Sequence, residues 1–164
     1  MPDPTVGGRP VVVAVDEQFE MAVDLDRWSR LAGDSLISEG VVEGEMNLLF
    51  VDEAAMTELN LEHMGEDRPT DVLSFPLDGG GDDPFGDNLI GDVVVCPIYA
   101  ARQAGEHVGE RGHNGSVEDE LALLIVHGVL HLLGHDHAEP DETTRMLASE
   151  AVLLDAHHRP AARQ

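Results

Sequence analysis

Lysine is absent from this 164-residue chain, cysteine occurs once, and no apolar run approaches the length of a membrane span. Without lysine, nine arginines stand against 33 carboxylates, and the formal net charge is −24. That balance excludes a broad basic face for gripping nucleic acid, because such binding rests on many phosphate contacts at once. Local recognition by a single arginine or by a metal stays open. The lone Cys96 excludes an intramolecular disulfide and any cysteine-based zinc ribbon or finger. An apolar stretch of ~20 residues is missing, as is an N-terminal basic-then-apolar segment, so the expected setting is a reducing cytoplasm with no membrane.

What is present describes a globular domain. A hydrophobic content of 42% with 26% charged residues excludes wholesale disorder, and the length predicts one domain. Residues 1–10 read as a flexible tail, 11–157 as the single domain and 158–164 as a polar tail. Val11–Val15 is β-branched and predicts a strand, Asp24–Ile37 carries apolar residues at helical spacing, and Glu45–Val51 predicts a second strand. Asp52 suits the N-cap of a helix reaching Met64. The Pro69–Pro76 segment reads as extended. Asp78–Asn88, with four glycines and four aspartates, reads as a solvated loop. A calcium loop fails there, because Gly80 stands where a second oxygen ligand is required. Leu89–Cys96 predicts another strand, Pro97 opens a helix to about Val108, and His107–Gly115 is a polar connection. Ser116 is the expected N-cap of a helix over Val117–Leu133, with Glu118, Asp119 and Glu120 in the first turn where the macrodipole favours acids. Beyond Leu121 that helix is nearly all apolar, so it is the expected buried centre. Gly134 ends it, and a last helix runs over Asp141–Ala156.

The central helix carries the chemistry. His127 and His131 are four apart, so both imidazoles leave one helical face a turn apart. Gly134 permits a sharp turn that lets His137 return as a third ligand. Three neutral imidazoles, with a fourth position left to water, describe a catalytic zinc site holding one ion. The alternative, ordinary core histidines, would leave several imidazoles desolvated without a partner. The same spacing fits the metzincin protease pattern at every position but one: the glutamate that serves those enzymes as general base is here Gly128. Peptide hydrolysis by that route is therefore disfavoured.

The run from His127 to His137, H-G-x-L-H-L-x-G-H-D-H, resembles the signature of the YbeY family of bacterial endoribonucleases. The resemblance continues in Leu59-Asn60, in Pro69 to Pro76 and in Ile90-Gly91-Asp92-Val93, and covers about residues 45 to 155. It implies a single α+β, zincin-like domain with a mixed β-sheet packed around the central helix. It also implies one zinc ion on His127, His131 and His137, and cleavage of single-stranded RNA. The implied role is maturation of the 3′ end of 16S ribosomal RNA and ribosome quality control, with the small ribosomal subunit as partner. This chain departs from the family pattern at Met64, where an arginine that contacts phosphate is common; Arg68 is the nearest replacement, set against a plain solvated arginine. His135 stands where tyrosine is frequent and is expected to face solvent.

On this reading the reaction is metal-assisted phosphodiester hydrolysis. Asp136 is the nearest proton acceptor in sequence, and equally suits orienting a ligand. Asp71 and Ser74 are candidates for lining the substrate groove, set against strand-end capping. Asp92 reads as structural. His63, His107 and His113 are expected to be solvated, His157 and His158 to close a polar tail, and Cys96 to pack as a small hydrophobe. Two other functions stay open: a ribosome-assembly factor whose zinc is only structural, and a metallopeptidase. The acidic surface suits docking on basic ribosomal proteins, which would deliver the RNA. Nothing in the sequence sets the oligomeric state.

Overall fold

Alternation along one strand organises the core. In β2 (Gly44–Phe50), Met46, Leu48 and Phe50 are fully buried on one face, while Leu49 packs on the other. The computed structural model describes residues 9–77, 89–109, 113–135 and 138–158. β1 (Pro10–Asp16) and β4 (Leu89–Val95) pair parallel to the two edges of β2, and β3 (Val72–Pro76) runs antiparallel along β4. The resulting mixed sheet has the order β1-β2-β4-β3. The 78–88 segment, including the rejected calcium loop, lies outside the described residues.

The helices start where their caps stand. Asp24, Asp52 and Ser116 each accept a backbone N–H, from Arg27, Ala55 and Asp119, at the heads of α1 (Leu25–Ser38), α2 (Glu53–Met64) and α4 (Val117–Leu132). Each such cap contributes ~1 kcal/mol. α3 (Pro97–Gln103) opens on a proline and tightens into a 3₁₀ turn over Ala104–His107; α5 (Pro140–Leu153) does the same at its start and widens into a π turn over Leu154–His158. None of these helices is long and apolar enough to cross a membrane.

α4 is the buried centre, with every residue from Glu120 to Val126 shielded from solvent. It lies on the face of the sheet that carries Met46, Leu48, Val93 and Val95, with α1 beside it. Contact is close at Gly128: a Cβ there would sit 2.7 Å from a Val93 methyl. α4 ends in a Schellman motif, in which the Gly134 and His135 amides donate to the carbonyls of His131 and Leu130, with Gly134 at φ 96°. The opposite face of the sheet is closed by Met56 of α2 against Val51, Val94 and Cys96. Burial pushes the Cys96 thiol up to about 11, so it stays protonated and packs as a small hydrophobe, as expected.

The end of the described chain departs from expectation. His158 is buried against Trp28, with ring centroids 6.1 Å apart. Its Nδ1 accepts from Arg27 at 3.3 Å, so its proton lies on Nε2 and is donated to Asp119 at 2.7 Å. His157 meets Ser38 Oγ at 2.7 Å. The two histidines fasten α5 to α1 and α4, contacts that no local pattern reveals.

Candidate active site

α4 brings His127 and His131 together as their spacing predicts. Their Nε2 atoms are 3.0 Å apart, with the rings edge to face. His127 Nδ1 meets Glu150 Oε1 at 2.5 Å, and Glu150, from α5, is fully buried. A neutral His127 that gives its Nδ1 proton to this carboxylate presents an Nε2 lone pair on the side facing His131. A carboxylate behind an imidazole fixes the tautomer and raises the basicity of the far nitrogen, the arrangement found behind metal-ligating histidines. Glu150 escapes sequence reasoning, because it lies 23 residues from His127 on another helix and carries no motif.

His127 and Glu150 open onto a cleft of about 590 Å³. Its walls are Val72, Leu123, Leu124, Met146 and Leu147, and its far end is polar, made by Asp71, His107 and Glu120. Glu120 is fully buried yet well satisfied. Its Oε1 accepts from His107 Nδ1 at 2.6 Å and from His113 Nε2 at 3.0 Å, and its Oε2 from Gln103 Nε2 at 3.0 Å. Gln103 donates also to Asp71 Oδ2, at 2.7 Å. His107 and His113 are therefore not the solvated loop residues their sequence context suggests. His113 is 8% exposed, and both rings give hydrogen bonds to a buried acid.

The donor atoms of His107, His113 and Glu120 lie within 4.8 Å of one another, so this trio could hold a metal ion. Its hydrogen bonds put it to another use. The Gly115 amide donates to His113 Nδ1 at 2.8 Å, which places the proton of a neutral ring on Nε2, where it is given to Glu120. A metal would need that Nε2 lone pair, and His113 would have to surrender one of these bonds to supply it.

A profile of the family described as endoribonuclease YbeY matches residues 14–158. The chain belongs to the YbeY endoribonuclease family. Among its curated relatives of that name, the Salinispora tropica protein is 48% identical over 80% of this chain and 87% of its own length. The Leifsonia xyli protein is 43% identical over 87% and 92%, and the Thermobifida fusca protein 42% over 90% and 94%. A solution structure from Thermotoga maritima shares the fold with a TM-score of 0.57, at 24% identity over 93% of this chain and 95% of that one.

Membership in the YbeY family gives Gly128 a meaning. The glycine lies against the sheet, its missing Cβ close to Val93 and 3.3 Å from Ser74 Oγ, so a glutamate there would have no room without moving β4. The metzincin base position is thus occupied by a packing contact. Ser74 Oγ donates to the Gly128 carbonyl at 3.2 Å and does not line the cleft. Asp71 does line it, and also caps β3 by accepting the Val72 amide at 2.8 Å. Arg68 pairs with Glu66 at 2.8 Å in a neighbouring groove that holds Met64 and shares Val72 with the cleft. His135 Nε2 meets Glu39 Oε1 at 2.9 Å, so it is tied to the end of α1. His63 lies exposed over Phe75, and Asp92 accepts from Asn47 across β2 and β4. Asp136 and His137 lie outside the described residues.

Proposed function

We propose that this chain is a zinc-dependent endoribonuclease that cleaves single-stranded RNA and matures the 3′ end of small-subunit ribosomal RNA in ribosome quality control. The observation that carries the reading is the pair of Nε2 atoms 3.0 Å apart at the mouth of a cleft, one of them backed by a buried carboxylate. His127, His131 and His137 would hold one zinc ion, which supplies Lewis acidity and an activated water near neutral pH. Glu150 keeps the His127 proton on Nδ1 and the ring in place. The apolar walls exclude bulk water from one side of the reacting phosphate.

Of the other candidates, Asp71 is the one placed to meet substrate inside the cleft. Arg68 is proposed to offer its charge to a phosphate further along the strand, in the groove that shares Val72 with the cleft. Asp136 is proposed to orient a ligand or to take the proton released at the metal. Ser74 stiffens the α4–β3 contact. The net charge of −24 keeps affinity for free RNA low, so delivery through basic proteins of the small ribosomal subunit is part of the proposal, as is a cytoplasmic location.

The test is cleavage of a single-stranded RNA and of a generic peptide, with and without chelator, by the native chain and by His131→Ala. RNA cleavage should be lost with chelator and fall by more than ~100-fold in the variant, beyond the cost of an outer partner. The peptide should survive. RNA cut equally well by His131→Ala would overturn the zinc mechanism.

A further inference from the structure

We infer that the cleft beside His127 is a nucleobase subsite that prefers a base carrying an exocyclic amino group, guanine foremost. This rests on the ribonuclease reading and names what the site holds besides phosphate. Three observations carry it. The cleft is much larger than a phosphate requires, and a volume of about 590 Å³ lies within the usual range for a small-molecule site. Its walls are aliphatic, and bases of single-stranded RNA are splayed out and packed against such surfaces. Its polar end lies at the right remove: Glu120 and His127 are seven residues apart on α4, a rise of about 10.5 Å. A nucleotide whose phosphate lies at the histidine pair can thus extend its base toward Asp71.

The polar end decides which base. Asp71 is held in place by the Val72 amide on Oδ1 and Gln103 Nε2 on Oδ2, with a longer contact of 3.4 Å from Thr70 Oγ1. A carboxylate offers about four acceptor sites, so Asp71 retains capacity toward the cleft it lines. Behind it, Gln103 links Asp71 to Glu120, whose oxygens already accept from His107 and His113. A carboxylate at this end repels phosphate, which turns the nucleotide so that the phosphate stays beside His127 and the base enters. Guanine presents N1–H and N2–H side by side, so its two donors converge on the acceptor site that Asp71 retains. Adenine and cytosine present one amino group each. Uracil presents a single N3–H between two carbonyl oxygens, which the carboxylate repels.

The experiment uses the full chain with zinc supplied and a set of oligouridylates, each carrying one guanosine, adenosine or cytidine at a fixed place. Cuts should fall at a constant offset from the inserted base, ~10-fold faster beside guanosine than in all-uridine RNA, the scale of one good base contact. Asp71→Asn, which puts a donor where an acceptor stood, should slow cutting beside guanosine far more than in all-uridine RNA and so bring the two to near parity. Equal cutting everywhere by the native chain would overturn the subsite and leave the ribonuclease reading intact. If no RNA is cut, the ribonuclease reading fails. Binding of guanosine and uridine 5′-monophosphate to the chelated chain, followed by NMR, then decides the subsite alone. The two probes carry the same phosphate, so tighter guanosine 5′-monophosphate supports the subsite and equal affinity overturns it.

Discussion

α4 carries a histidine–carboxylate cluster at each end, and the two are wired in opposite senses. At the C-terminal end a buried carboxylate, Glu150, accepts from His127 Nδ1, and the Nε2 atoms of His127 and His131 meet at 3.0 Å, within hydrogen-bond distance. At the N-terminal end two imidazoles and an amide serve one buried carboxylate, Glu120. The same residue types thus give a site where a carboxylate fixes the proton of a histidine and a site where histidines give their protons to a carboxylate. The first arrangement suits a cation and the second satisfies a buried carboxylate. Residue type and proximity do not separate the two; the allotment of protons does, and it is fixed by third partners such as the Gly115 amide.

The sharpest way to break the comparison is at Glu150. Glu150→Gln keeps the shape but lets the tautomer of His127 go, so zinc affinity should fall by ~10–100-fold with folding retained. Metal titration by calorimetry, alongside circular dichroism, checks both halves. Unchanged zinc affinity would mean that the carboxylate is a buried acid like Glu120 and that the two ends do not differ in kind.

The converse substitution, Glu120→Gln, should act on stability and leave zinc alone. The new amide nitrogen would face donors that now point at an oxygen, a mismatch costing ~1–3 kcal/mol. Urea unfolding reads that loss, and metal analysis should still find one zinc per chain. Two equivalents in the native chain, one of them lost in Glu120→Gln, would instead establish a second metal at His107, His113 and Glu120.

The difference between the two ends also marks what the sequence discloses. The i, i+4 histidines, the Ser116 cap and the Gly134 stop are local patterns, and α4 was legible from them to within a residue at its end. So were the capping of α2 by Asp52 and the burial of Cys96. Glu150 and the Glu120 cluster were not. Glu120 reads as one of three first-turn acids, a position the helix dipole alone justifies. Only the packing of α3 and its 3₁₀ turn over the head of α4 buries that acid and brings His107 to it. His107 and His113 look like loop histidines for the same reason: their partner belongs to a helix that their own segment does not predict. Gly128 read as a missing base, and the sheet supplies its actual reason in Val93.

The smallest effect belongs to the tie that fixes the head of α4, the bond between Asp119 and His158. Burial raises the Asp119 carboxyl, but the hydrogen bonds from His158 and the Asn114 amide outweigh it and hold the group below its ordinary value. A carboxyl depressed on folding contributes stability above its unfolded value, near pH 4, and loses it as pH falls through the lower folded value. The contribution should stay at ~1 kcal/mol, because Asp119 is partly open to solvent although His158 is buried. The melting temperature of the native chain should therefore exceed that of Asp119→Asn at pH 7, and the gap should close as pH falls below about 4. RNA cleavage at pH 7 should be the same in both, since Asp119 is not among the residues that line the cleft. A gap independent of pH would assign the effect to lost packing, and a loss of cleavage without a loss of stability would move the boundary between the two ends of the helix.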